Sequence, residues 1–135
     1  MRTLKMLMVV SFVAAFVYGL IGGPAVLSAD EDSELEKAMK PIGEKMKALK
    51  QTVAMGKNVG VKENAEYIAA NVGKAKDHEP PINKDRKAEI PALADEAIAA
   101  AKALAAAEGT PDVKAKFFAL GNSCKKCHDI FQPEE

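Results

Sequence analysis

The sequence predicts an all-α protein, an antiparallel up-down-up-down four-helix bundle. In four segments, apolar residues recur at alternating steps of three and four, the spacing of a helix that buries one face. Stretches that contain Gly and Pro separate these segments, and no segment alternates apolar and polar residues as a half-buried strand does. Short connections between amphipathic helices favour antiparallel neighbours, which gives the bundle its predicted topology.

The first helix is predicted from about 32 to 55. Its apolar positions are Leu35, Met39, Ile42, Met46, Leu49 and Val53. Pro41 interrupts the pattern, because proline removes a backbone donor and disfavours helical geometry at Lys40. Two alternatives stay open: the helix is kinked at Pro41, or it begins there and residues 32–40 form a separate turn.

The second helix is predicted from about 61 to 76, after a turn over 56–60. Its buried face would hold Val61, Ala65, Ile68, Val72 and Ala75. Pro80 and Pro81 cannot continue a helix, so a loop is expected over 77–85.

The third helix begins at Arg86 or at Pro91 and ends near Glu108. Alanine, the best helix former, dominates its second half. Its buried face would hold Ile90, Leu93, Ala97, Ala101 and Leu104.

The fourth helix follows a glycine stop at Gly109 and ends near Phe131. Thr110 is the expected N-cap, with Pro111 in the first helical position and Asp112 as an acidic residue in the first turn. Its core face would hold Val113, Phe117, Leu120, Cys124, Cys127 and Phe131.

The N-terminus has the features of a secretory signal peptide. Arg2 and Lys5 precede an uncharged apolar run over 6–21, and small residues follow at Ser28 and Ala29. Cleavage after Ser28 or after Ala29 would leave residues 30–135 as one domain. The alternative is a retained membrane anchor, although the run is shorter than the roughly 20 residues that a full span needs.

The charge balance argues against a nucleic-acid partner. The chain has 19 basic and 19 acidic residues. Loss of Arg2 and Lys5 with the signal peptide leaves 17 basic residues against 19 acidic ones, a net charge near −2. No basic stripe remains of the kind that binds phosphate backbones, and no membrane contact is expected after cleavage.

The motif Cys124-Lys125-Lys126-Cys127-His128 is the attachment signature of c-type haem. Residues three and four apart share one face of a helix, so both thiols can meet the two vinyl groups on one side of a porphyrin. His128 can then turn its imidazole to the iron as the proximal ligand. The sequence therefore predicts one covalently bound haem c.

Three other interpretations of this motif are a disulfide, a thioredoxin-like redox pair and half of a zinc site. A redox Cys-x-x-Cys follows a strand and opens a helix, whereas this one lies late in a helical pattern. A zinc site would need Cys124, Cys127, His128 and His78, nearly every Cys and His of the chain.

Antiparallel order predicts which residues surround the haem. The expected lining is Leu35, Met39, Ile42, Val72, Ala75, Ile90 and Leu93. Met39 is the best-placed sixth ligand, because a thioether suits iron. Met46 lies about 10 Å further along the helix axis. The alternatives are that Met39 is core packing with no protein ligand on the iron, or that His78 binds it.

The chain resembles the class II cytochromes c, the family of cytochrome c′ and cytochrome c556, over residues 32–131. The resemblance rests on the motif with Phe131 three residues after His128, on the four-helix pattern, and on Ala38-Met39 seven residues ahead of Met46. In that family the position of Met39 is an iron-bound methionine in low-spin members. In cytochrome c′ it is an apolar residue over a five-coordinate iron, which can bind nitric oxide or carbon monoxide.

The chain departs from the family in two basic positions near the haem. Family members often have an arginine one turn before the distal residue and a basic residue four after the haem histidine. This chain has Leu35 and Gln132 there. Lys37, Lys40 or Lys126 could substitute. The resemblance also implies a homodimer through the outer faces of the first two helices.

The predicted function is that of an exported, periplasmic electron carrier with iron bound by His128 and Met39, and not that of an enzyme. Its partners would be larger redox proteins. Lys125 and Lys126 would either steer an acidic partner or simply form a solvated helix face.

The alternative function is binding of nitric oxide or carbon monoxide at an open iron. Peroxidase-type chemistry would need a distal acid–base group, for which only His78 is available.

Overall fold

The computed structural model describes residues 32–134, so the predicted signal peptide at 1–29 lies outside the described residues. This part of the chain is all-helical and contains no strand. Its α-helices are α1 (Glu34–Ala54), α2 (Val61–Asn71), α3 (Ile90–Ala105) and α4 (Thr110–Phe131). Two 3-10 helices, Val72–Asp77 and Lys84–Glu89, lie between α2 and α3.

Helix α1 begins with a capping box. The Ser33 hydroxyl accepts a hydrogen bond from the Glu36 backbone N–H at 3.2 Å, and the Glu36 carboxylate accepts one from the Ser33 N–H at 2.6 Å. The helix then continues through Pro41, so the alternative start at Pro41 is wrong. Pro41 is exposed, where water can compensate for the missing backbone donor, and the strong N-terminal cap stabilises the turn before it.

The second helix tightens before it ends. Residues 61–76 are helical as predicted, but from Val72 onward the geometry is 3-10, a frequent form at helix C-termini. Both predicted starts of the third helix are partly right. Arg86 lies in the 3-10 helix Lys84–Glu89, and α3 begins at Ile90 with Pro91 in its first turn.

The start of α4 corrects one prediction. Thr110 is already helical, and the N-cap is Gly109, whose φ of 77° favours glycine. The Asp112 carboxylate instead accepts a hydrogen bond from the Glu108 backbone N–H at 3.1 Å and one from Lys116 at 2.9 Å. The acidic first-turn residue therefore ties the α3–α4 connection to the helix.

The predicted core positions of all four helices are buried or partly buried, so the helical periodicity is confirmed. They form two groups. The main cluster has Leu49, Ile68, Leu104 and Leu120 at its centre, each with no exposed area. A smaller second cluster contains Leu35, Ala75, Ile90 and Phe131.

Helix contacts follow chain order. Helix α1 packs on α2, α2 on α3 and α3 on α4, and α4 also contacts α1 over a smaller region than those other pairs. No helix within residues 32–134 combines the length and the apolar content needed to cross a bilayer.

Candidate cofactor site

A cavity of about 680 Å³ lies beside the second cluster, within the range of small-molecule sites. All four members of the second cluster line it, whereas none of the four central leucine and isoleucine side chains of the main cluster does. The seven residues predicted to surround a haem are all in its wall: Leu35, Met39, Ile42, Val72, Ala75, Ile90 and Leu93.

Cys124, Cys127 and His128 all line this cavity from the second half of α4. Cys124 packs against the main cluster and Cys127 against the second cluster, so the motif spans the junction between them. The motif lies fifteen residues or so into a long helix rather than at the start of one after a strand. The thioredoxin-like interpretation therefore does not match the fold.

Both cysteines are free and partly buried thiols. Burial raises the pKa of Cys124; the neighbouring Cys127 adds to this, and the Ser123 hydroxyl opposes it. Burial also raises the pKa of Cys127. Reactive redox cysteines have a lowered pKa, so this pair does not have the electrostatics of a disulfide oxidoreductase.

His128 is exposed where it opens on the cavity, yet the protein atoms around its imidazole partly desolvate it. This burial lowers the pKa of His128, and the adjacent Asp129 opposes the shift. The neutral imidazole is therefore favoured, which is the form that binds a metal.

Cys124, Cys127 and His128 line one cavity without converging on one point, which suits a wide ligand better than a single ion. Among residues 32–134, no three His, Cys, Asp or Glu side chains converge as ligands of one metal ion, so the zinc interpretation has no support there. Haem does not need such convergence, because its vinyl groups and its iron are separate attachment points. The donor set, the spacing and the apolar wall of the cavity fit a haem.

The two methionines and the second histidine differ in their relation to the cavity. Met39 lines it and packs against both clusters. Met46 lines it as well, so the cavity extends further along α1 than predicted. His78 caps the end of the 3-10 helix Val72–Asp77 and is not among the lining residues.

Charged side chains border the cavity on α1 and α4. Lys40 and Asp32, both in the lining, form an ion pair at 3.1 Å. Lys125 also lines the cavity and pairs with Asp129 at 2.7 Å. Lys126 is outside the lining, where it pairs with Glu96 of α3.

These pairings bear on the expected roles of the lysines. Of the three lysines proposed as substitutes for the family's basic groups, only Lys40 lines the cavity. Lys125 and Lys126 each have an acidic partner, which favours the solvated helix face over a docking patch for an acidic protein.

Gly43, Gly121 and Ser123 are among the lining residues that were not predicted from the sequence. Gly43 is four residues after Met39, and Gly121 is three before Cys124, so helical spacing alone could have placed both on the cavity face. Ser123 carried no such signal. Its buried hydroxyl donates to the Leu120 carbonyl at 2.8 Å, which satisfies it within its own helix.

We compared the chain with protein-family models, with curated proteins and with solved structures, and none of the three comparisons finds a match.

Proposed function

We propose that the protein is an exported c-type cytochrome with one haem, which acts as a periplasmic electron carrier. The observation that carries this proposal is the presence of both thiols and the motif histidine in the wall of one largely apolar cavity. No other cysteine exists in the chain, so the whole thiol content is committed to this cavity.

The two cysteines and the histidine of the motif would have different roles. The Cys124 and Cys127 thiols would each add sulfur and hydrogen across one vinyl group, an addition that needs no oxidant. The neutral His128 imidazole would bind the iron. When bound, the haem supplies a one-electron Fe(III)/Fe(II) couple. The apolar wall would exclude water from most of the ring.

We also infer the antiparallel up-down-up-down arrangement of the four helices. The cavity wall combines the first turns of α1 and of α3 with the last turns of α4 and the 3-10 helix that follows α2. Neighbouring ends of opposite polarity are what an antiparallel bundle brings together.

Met39 is the proposed sixth ligand. It lies in the cavity wall on α1, across from the helix that carries His128. His78 is a weaker candidate because it is outside the lining. A methionine ligand would raise the reduction potential relative to a second nitrogen ligand.

Export to the periplasm is the location that this function requires, because covalent haem attachment in bacteria takes place outside the cytoplasmic membrane. The basic residues and the apolar run at the N-terminus support it.

Optical spectra of the purified protein test this proposal: oxidised, reduced, and reduced under carbon monoxide. We expect a low-spin spectrum that carbon monoxide leaves unchanged, and conversion to high spin in Met39→Ala. The matched control is Met55→Ala, since Met55 is exposed and outside the cavity lining.

Two other results would count against the proposal. A high-spin spectrum that shifts with carbon monoxide would mean an open iron and make gas binding the leading function. Absence of a haem spectrum, from a host that matures c-type cytochromes, would overturn the haem assignment.

A further inference from the structure

The six glycines within residues 32–134 differ in backbone conformation and in what an added Cβ would meet. Gly56, Gly60 and Gly109 have positive φ, which few other residues adopt. At Gly73, an added Cβ would make an ordinary van der Waals contact with the Ile98 side chain at 3.5 Å, so this position has a packing neighbour but no steric need for glycine. The remaining two are Gly43 in α1 and Gly121 in α4.

Gly43 and Gly121 have no local reason to be glycine. Neither has a positive φ, and a Cβ added at either would meet no atom within 4 Å. Both lie inside helices of more than twenty residues, where glycine destabilises the helix relative to alanine. Within the polypeptide, alanine would fit at both positions and stabilise both helices.

The two positions share one feature, because both line the cavity. Gly43 is one helical turn after Met39, and Gly121 is one turn before Cys124. They lie on the two helices whose mutual contact is the smallest among neighbouring pairs. Gly43 is exposed and Gly121 is half-buried, so a side chain at either position would stand in the open part of the cavity wall.

We propose that Gly43 and Gly121 are haem-contact positions, where bare backbone of α1 and α4 lets a flat ring system lie closer than any side chain would allow. Close approach of backbone to a ligand is one of the established uses of glycine. The inference rests on the proposed haem, and it identifies two determinants of cofactor fit outside the attachment motif and the axial ligands. A side chain at either position would compete with the ring for the same volume.

The test places leucine at each position in the full chain, expressed in a host that matures c-type cytochromes. The matched controls are Lys47→Leu on α1 and Ala119→Leu on α4, both exposed and outside the cavity lining. Three quantities are measured: haem per polypeptide by the pyridine haemochrome method, the Soret spectrum, and helix content by circular dichroism.

We expect Gly43→Leu and Gly121→Leu to lose haem several-fold while the two controls keep the wild-type content. Haem that does attach should have a shifted Soret band. If the leucine variants do not accumulate, the same measurements are made on Gly43→Ala and Gly121→Ala. Because alanine favours the helix, these variants should fold. In these variants we expect a displaced Soret band at unchanged helix content.

Failure of the proposed glycine contacts can be distinguished from failure of the proposed function. Wild-type haem content and an unshifted spectrum in all four glycine variants would overturn the contact role and leave the proposed function intact. A wild-type protein that carries no haem would overturn the proposed function itself.

Discussion

The main cluster and the second cluster complete their apolar surfaces in different ways. Leu49, Ile68 and Leu104 of the main cluster have no exposed area, because side chains of neighbouring helices cover them. In the second cluster, Leu35 and Phe131 border a cavity, and Met39 stays partly buried against both clusters. The same steps of three and four run through both regions, so the helical pattern alone does not distinguish them.

The main cluster is thus covered by protein side chains, whereas the second cluster borders an open cavity. Gly43 of α1 and Gly121 of α4 lie in the cavity wall, where larger side chains would occupy part of the open space. A domain of roughly 100 residues has a small core. A bound haem would supply the apolar contacts that the second cluster lacks.

The largest effect should come from removing the covalent attachment. We expect Cys124→Ala combined with Cys127→Ala to abolish covalent haem entirely, because no other thiol exists in the chain. Mass spectrometry of the denatured protein measures it. Ser123→Ala, in the same cavity wall, is the control and should keep the haem. Covalent haem on the double variant would refute the assignment.

Truncating one leucine in each cluster should lower the free energy of unfolding by different amounts. We expect Leu104→Ala to cost about 2–5 kcal/mol of unfolding free energy, the range for a buried leucine in a closed core. Leu35→Ala should cost less in the haem-free double cysteine variant, because its side chain already borders open space. Urea unfolding measures both.

The same two truncations can be compared between the haem-bound and the haem-free protein. The cost of Leu35→Ala should rise when the protein carries haem, whereas that of Leu104→Ala should stay the same, since Leu104 is outside the cavity wall. Equal costs at both positions in both forms would mean that the cavity does not bind the haem.

The smallest effect concerns Asp112, far along α4 from the motif. The hydrogen bond from Lys116, together with that from the Glu108 backbone N–H, lowers the pKa of Asp112 in the folded protein. A lowered folded-state pKa stabilises the protein above the unfolded-state value, and this contribution is lost as the pH falls through the folded-state pKa.

We therefore expect Asp112→Asn to lower the thermal midpoint slightly at neutral pH. The difference from wild type should shrink towards zero as the solution is acidified through the carboxyl range, and the haem spectrum should not change. Thermal melts at several pH values measure the effect. A difference that grows on acidification would contradict the pairing.

Sequence periodicity predicted most of the fold. Ile68, Ala101 and Leu120 are buried as expected, because an amphipathic helix repeats its buried face every three to four residues wherever it packs. Predictions at helix ends were less accurate. Gly109 and not Thr110 is the N-cap of α4, and of the two alternatives at Pro41 the one that starts α1 there is wrong. These outcomes depend on competing caps and on solvent exposure, which propensities do not contain.

The sequence by itself determined the helical segments, their buried faces and the Cys-x-x-Cys-His motif, because each depends on spacing within a few turns of one chain segment. Only the tertiary structure decided that Met39 lies in the cavity wall while His78 does not, and that Gly43 and Gly121 line the same cavity. It also decided that Lys126 pairs with Glu96. Such relations join residues far apart in the chain, and the packing of one helix on another brings them together.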